Sequence, residues 1–299
     1  MILLDYNQCV IANFMGAYSV QKRDKQDLSY SRNIENILDE EGNLNEKYLK
    51  YMVLDSIRRL NKRFRNEYGK LIICTDGLNI WRKEVFPYYK ANRKKTKDNS
   101  EVNWTIIHNF INSFREELQD NLPYPIIFID RCEADDIIGT LTRQYGNTEK
   151  VLILSGDQDF CQLHINENIK QYDDIRNRFI VKPCPYLYLK EHIIRGDTGD
   201  GCPSYLSEDN VLVLGIRQRP IFQKKLDIIL HQKPEEFCNK DELRRYKRNE
   251  RLIDLSFTPQ ELQDEITNKY NSQMNKKANI FNYLIRERQS KLIEDYTDF

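Results

Sequence analysis

The chain has 299 residues, enough to bury a sizeable core as one large α/β domain or as two lobes. Charged residues make up 31% of it, mean hydropathy is −0.71, and 46 Lys and Arg balance 46 Asp and Glu. No run approaches the roughly 20 apolar residues of a transmembrane helix and the N-terminus enters a strand directly, so a soluble, cytoplasmic protein without membrane contact is expected.

Taken in order, residues 2–5 read as a short strand ending in Asp5, and 6–18 open the following loop and helix. The polar stretch 19–43 reads as a loose connection with helical pieces. Residues 45–65 carry Tyr48, Met52, Ile57 and Leu60 near one face and predict a long helix. Gly69 precedes a second strand, 71–75, which Asp76 and Gly77 close. This strand–helix–strand alternation predicts an α/β fold with a central, mostly parallel sheet flanked by helices.

The segment 81–97 follows, with seven Lys or Arg and one acid, Glu84. Arg82, Lys83, Tyr88, Tyr89, Lys90, Arg93, Lys94 and Lys95 interleave rings with cations. That pattern suits single-stranded nucleic acid, where rings stack on bases and cations follow phosphates. A solvated surface loop is the competing interpretation. Trp104, Ile107, Ile111, Phe114 and Leu118 then mark an amphipathic helix.

A third strand, 126–129, leads to a helix starting near Glu133. Glu133, Asp135 and Asp136 occupy its first turn, where the helix dipole favours negative charge. Glu133 and Asp136 are three apart and aim the same way, whereas Asp135 points elsewhere. The apolar run 151–154 predicts a fourth strand, and the Ser155-Gly156 turn delivers Asp157 and Asp159 just past its end. Open α/β sheets place their ligands there. Gly196-Asp197-Thr198-Gly199-Asp200 adds a last acidic turn.

Carboxylates crowded at strand ends repel one another and must take up protons or cations. Oxygen ligands suit hard ions, Mg²⁺ first, with Mn²⁺ able to substitute. Seven scattered cysteines without a CxxC pair argue against disulfides and a Cys-type zinc site, and the four histidines form no zinc motif. A phosphatase of the haloacid dehalogenase type would need a nucleophilic Asp directly at the strand end, where Ser155-Gly156 intervenes. A noncatalytic nucleic-acid-binding module would keep the fold and cleave nothing.

The ordered set Asp5, Asp76, Tyr89-Lys90-Ala91-Asn92-Arg93, Glu133-Ala134-Asp135-Asp136, Gly156-Asp157-Gln158-Asp159 and Gly196 to Asp200 resembles the flap endonuclease/XPG family of structure-specific 5′ nucleases. Within it, the likeness to the T-even phage ribonuclease H branch runs over nearly the whole chain. The resemblance implies a PIN-like core with two divalent ions. Asp5, Asp76, Asp135 and Asp157 match the acids of the first ion, with Glu133 in support. Asp159, Asp197 and Asp200 match those of the second, with Asp136 assisting through water. Lys90 and Arg93 match the residues that grip the scissile phosphate, and with Asp135 and Asp157 they form the expected catalytic set.

The implied work is hydrolysis of RNA–DNA hybrids and nicked or flapped duplex DNA, removing RNA primers in lagging-strand replication. The implied setting is the host cytoplasm of a phage infection. The implied protein partners are a phage single-stranded DNA-binding protein, through the tail 294–299, and a sliding clamp; a monomer is expected. One departure stands out. Family members commonly carry Asp-Asn at the last acidic pair, whereas Gly201 follows Asp200 here, and 203–215 do not spell the family's glycine-rich duplex-gripping element with its monovalent cation. The Lys- and Arg-rich stretch 217–251 reads either as the substitute duplex contact or as solvated helix faces. The organisation expected is an acidic core, 1–200, including an arch-like segment 81–97, and a mostly helical region, 201–299.

Overall fold

The computed structural model describes residues 1–26 and 35–299. At its centre lies a six-stranded sheet in the order β3-β2-β1-β4-β5-β6. The strands are β1 (Ile2–Asp5), β2 (Leu71–Thr75), β3 (Ile126–Phe128), β4 (Val151–Leu154), β5 (Ile169–Asp173) and β6 (Arg178–Ile180). Strands β1 to β5 run parallel and β6 pairs antiparallel with β5.

Continuous apolar runs suit strands covered on both faces, and alternate residues serve opposite sides. Ile2 and Leu4 face a layer that includes Phe14, Val53, Ile57 and Phe110. Leu3 faces the other layer, with Ile137, Ile138, Leu141, Leu262 and Ile266. The first layer is built by α1 (Tyr6–Gln26), α2 (Glu46–Tyr68) and α5 (Trp104–Asn121). Two short helices, α3 (Arg82–Val85) and α4 (Asn92–Asp98), precede α5; α6 (Ala134–Tyr145) and α7 (Pro185–Arg195) follow it. Asn45 caps α2 by accepting the Tyr48 N–H at 3.1 Å, and Gly69 ends it at φ +83°.

The chain runs outward from β1 to β2 and β3, then returns to place β4 on the other side of β1. This reversal leaves a crevice at the C-terminal ends of β1, β2 and β4, the usual ligand position of open α/β sheets. The acids after those strands meet there.

Three local features differ from expectation. Helix α1 begins at Tyr6 without a loop and continues to Gln26, through part of the stretch expected to be loose. Gln21 explains this: it is buried, donates to the Leu38 carbonyl at 2.7 Å and accepts from Ile37 N–H at 3.0 Å. The remainder of that expectation at 27–34 lies outside the described residues. The third is the β5–β6 hairpin, which was not anticipated. Its polar look comes from Gln171 and Asp173, both buried and both hydrogen-bonded, Gln171 to the Ser155 carbonyl at 2.9 Å and Asp173 to Arg176.

Residues beyond 200 divide between two roles. One part packs with α7 around Tyr205, Leu226, Tyr246 and Ile253. The rest covers the sheet: Leu262 and Ile266 on one face, Tyr283, Leu284 and Leu292 on the other.

Candidate metal centre and nucleic-acid interface

Asp5, the last residue of β1, accepts hydrogen bonds from Gln8 N–H at 3.1 Å and Ser155 Oγ at 3.2 Å. Asp76 follows β2; one oxygen takes Ala134 N–H and the other Asn7 Nδ2, both at 2.8 Å. Asp157 follows β4 and accepts Asp159 N–H at 3.0 Å. Asp135, in the first turn of α6, has Asp157 and Asp5 as charge neighbours. Burial, reinforced by Asp76, lifts Asp5 from the ordinary 3.8 to about 7. Burial and then Asp157 hold Asp135 well above the carboxylate range, and burial raises Asp76.

A second group adjoins the first. Asp159 sits in a 3₁₀ turn, Gln158–Leu163, and Asp197 and Asp200 lie in the loop after α7. Burial raises Asp159 to about 7, with Asp157 adding to the effect and His192 opposing it. His192, in the last turn of α7, places Nδ1 3.3 Å from Asp159 and Nε2 3.4 Å from Asp197. It was absent from the expected site. Nothing in its sequence context marks it, because only the turn after α7 brings it against the acids.

The structure thus gathers seven expected acids, Asp5, Asp76, Asp135, Asp157, Asp159, Asp197 and Asp200, into two neighbouring groups. Two others behave differently. Asp136 is fully buried, and Trp81 Nε1, Arg82 Nη1, Thr258 Oγ1 and Glu133 N–H occupy its oxygens at 2.8–3.3 Å. Its expected part at a metal is corrected: it is a core anion that neutralises Arg82. Glu133, expected as a supporting metal carboxylate, spends both oxygens on cations and a hydroxyl. Oε2 meets Arg82 at 3.1 Å and the Tyr89 hydroxyl at 2.7 Å, and Oε1 meets Lys90 Nζ. Although burial opposes it, the Lys90 and Arg82 charges hold Glu133 down at about 2.

The basic segment separates in the same way. Arg82 is 2% exposed, stacks on Trp81 at 4.7 Å, and donates to the Leu252 carbonyl. Tyr89 is 3% exposed, with its hydroxyl 2.7 Å from both Glu133 and Asp200. Neither can meet nucleic acid, which corrects two expected contacts: Arg82 stacks on buried Trp81, and the buried Tyr89 ring lies under Lys90 at 5.1 Å. Lys83, Tyr88, Arg93, Lys94 and Lys95 are exposed and Lys90 is partly so. An open groove of about 540 Å³ is lined by Lys83, Lys90, Arg93, Lys94 and Lys97 beside Trp104.

The groove joins the acids through Lys90 and Arg93. Lys90 has φ +57°, and its N–H donates to the Asp200 carbonyl at 2.7 Å. Its ammonium lies 3.4 Å from Asp200, and Arg93 pairs with the same carboxylate at 2.5 Å. Gly201 explains the departure from an Asp-Asn pair: at φ +75°, an added Cβ would lie 2.8 Å from the Tyr88 carbonyl oxygen. Of the stretch expected to replace the duplex-gripping element, Arg217, Arg219, Lys247 and Arg251 are exposed. Arg245 and Arg248 are buried and paired with Glu208 and Asp209.

Residues 32–188 match the model of the 5′-3′ exonuclease N-terminal resolvase-like domain, and residues 184–299 match the T4 RNase H C-terminal model. The chain belongs to the 5′-3′ exonuclease/flap endonuclease family. This family member is 27% identical to ribonuclease H of enterobacteria phage T4 over 92% of its own length and 94% of that protein's. It is also 31% identical to a 5′-3′ exonuclease of Streptomyces coelicolor, over 50% of its length and 55% of that protein's. The phage T5 D15 protein co-crystallised with metal ions has the same fold, at TM-score 0.57 and 15% identity, covering 91% of this chain and 98% of that one. A T5 D15 flap endonuclease complex with DNA and metal ions matches at TM-score 0.54 and 17% identity, covering 74% and 89%. No helix among the described residues is long and apolar enough to cross a membrane.

Proposed function

We propose that this nuclease cleaves phosphodiester bonds from the 5′ ends of RNA–DNA hybrids and flapped or nicked DNA, using two divalent ions, and that its work is primer removal in lagging-strand replication. The observation that carries this reading is the continuity between two acidic groups and a basic groove. Asp5 and Asp159, both pushed up to about 7 by burial first and by neighbouring acids second, fit cation binding, because a divalent ion neutralises the buried negative charge that otherwise recruits protons.

Asp5, Asp76, Asp135 and Asp157 would hold the first ion, and Asp159 and Asp197 the second, with Asp200 beside it, its oxygens shared with Arg93, Tyr89 and Lys90. When bound, Mg²⁺ or Mn²⁺ would supply Lewis-acid stabilisation of the phosphate and an activated water nucleophile. The chain's own residues do the rest. Lys83, Lys94 and Lys97, which line the groove, draw the phosphate backbone into it, with Lys95 exposed on the same short helix. Lys90 and Arg93 meet the scissile phosphate where negative charge grows. Glu133, clamped by Arg82, sets the position of Lys90.

The test is cleavage of a 5′-labelled RNA–DNA hybrid and a 5′ flap, with Mg²⁺ and with EDTA, by wild type and Asp157→Asn. Short 5′ products that require the metal and vanish in the variant are expected. Tight binding without cleavage under any divalent ion would leave a noncatalytic binding module instead.

A further inference from the structure

Resting on the metal-dependent reading above, we propose that His192 is a ligand of the second ion and biases that site away from Mg²⁺ toward later first-row ions such as Co²⁺. Ligand atoms from Asp159, His192 and Asp197 all lie within 4.8 Å of one another. They come from separate elements: the turn Gln158–Leu163, the end of α7, and the loop beyond it.

The ring is edge-on to both acids, 3.3 Å from Asp159 through Nδ1 and 3.4 Å from Asp197 through Nε2. Two donors that share one ion at about 2.1 Å stand roughly 3.0–3.4 Å apart, so either N···O pair has the span of a shared ion. An ion would take one nitrogen, leaving the other, with its proton, to donate to the remaining carboxylate. Metal-bound histidines are commonly oriented by such a bond.

The ring has an aromatic neighbour, and the helix that carries it ends just beyond it. Tyr188 lies edge to face with it at 6.0 Å, and the His192 carbonyl accepts the Gly196 N–H at 2.8 Å as the helix ends. The chemistry of the two groups therefore differs. Asp5, Asp76, Asp135 and Asp157 offer only oxygen, which suits Mg²⁺, whereas an imidazole nitrogen favours borderline ions.

The decisive measurement is pulsed EPR on the full chain titrated with Mn²⁺, reading ¹⁴N coupling, in wild type, His192→Gln and His231→Ala. Coupling is expected in wild type and His231→Ala and not in His192→Gln. A parallel titration should show Co²⁺ affinity falling by about tenfold or more in His192→Gln, with Mg²⁺ affinity little changed. Absence of ¹⁴N coupling in wild type overturns the proposal without reference to any variant. So does its survival in folded His192→Gln, its loss in His231→Ala, or an equal fall in both affinities. Wild type that shows the coupling yet cleaves nothing would instead overturn the nuclease reading and leave this ligand in place.

Discussion

The Arg82 guanidinium lies 2.8 Å from the Asp136 carboxylate, with both side chains sealed from solvent. Removing one partner of a buried pair strands the other charge, which costs about 3–5 kcal/mol. Arg82→Ala should therefore lower unfolding free energy by that amount in chemical denaturation, with Arg82→Lys failing to restore it because Lys lacks the planar fork. Lys83→Ala, one residue along and exposed, should leave stability within about 0.5 kcal/mol of wild type. Equal, small effects from both would remove Arg82 from the core.

Asp135→Asn keeps the shape of the side chain and removes its charge from between Asp157 and Asp5. Single-turnover cleavage of a 5′ flap with Mg²⁺ should slow by on the order of 10³-fold. Substrate affinity should hold, because the groove cations are untouched. Near-normal turnover would take Asp135 out of the catalytic set.

Groove lysines contribute through counterion release, which loses sequence information but leaves a salt signature. Lys94→Ala with Lys97→Ala should weaken binding of unrelated sequences alike and reduce the slope of log affinity against log salt by about 2. Lys90→Ala should act mainly on the cleavage step, since its ammonium is held among Glu133 and Asp200 rather than on the open surface. If the double variant keeps the wild-type salt slope, DNA follows another path.

Folded Asp5 and Asp159 each hold a proton up to about pH 7, whereas the unfolded chain releases it near 3.8. Between those values the folded state binds more protons, so without divalent ions these groups make stability fall as pH rises from about 4 to 7. A cation competes with those protons. The rise in melting temperature on adding Mg²⁺ should therefore be small at pH 5 and larger at pH 7.5. A rise independent of pH would separate the ions from these two acids.

Much of this centre could be read from the chain because β1, β2 and β4 are short apolar runs with an acid at or near the end of each: Asp5 closes β1, Asp76 follows β2, and Asp157 follows β4 across Ser155-Gly156. Asp5, Asp76 and Asp157 needed no long-range knowledge beyond a parallel sheet. Asp136 and Arg82 were misjudged for one shared reason: charge on a sequence reads as surface, and only the fold reveals that each buries the other. The Glu133–Asp136 spacing did point correctly, since both reach the same guanidinium while Asp135 turns to the acids. The β5–β6 hairpin escaped notice because buried Gln171 and Asp173 interrupt its apolar pattern. His192 escaped because one histidine on an ordinary helix carries no periodic or motif signal.

The C-terminal tail lies along α2. Asn61 donates to the Asp298 carbonyl at 2.8 Å, and Lys62 meets the Asp298 carboxylate at 2.7 Å. Phe299 packs into the same apolar layer as β1. A protein that recruited this chain by its last six residues would have to peel them off the helix first, and its affinity would carry that cost. A partner reading the tail in place, with α2 as part of the surface, would escape the cost and would recognise only the folded enzyme.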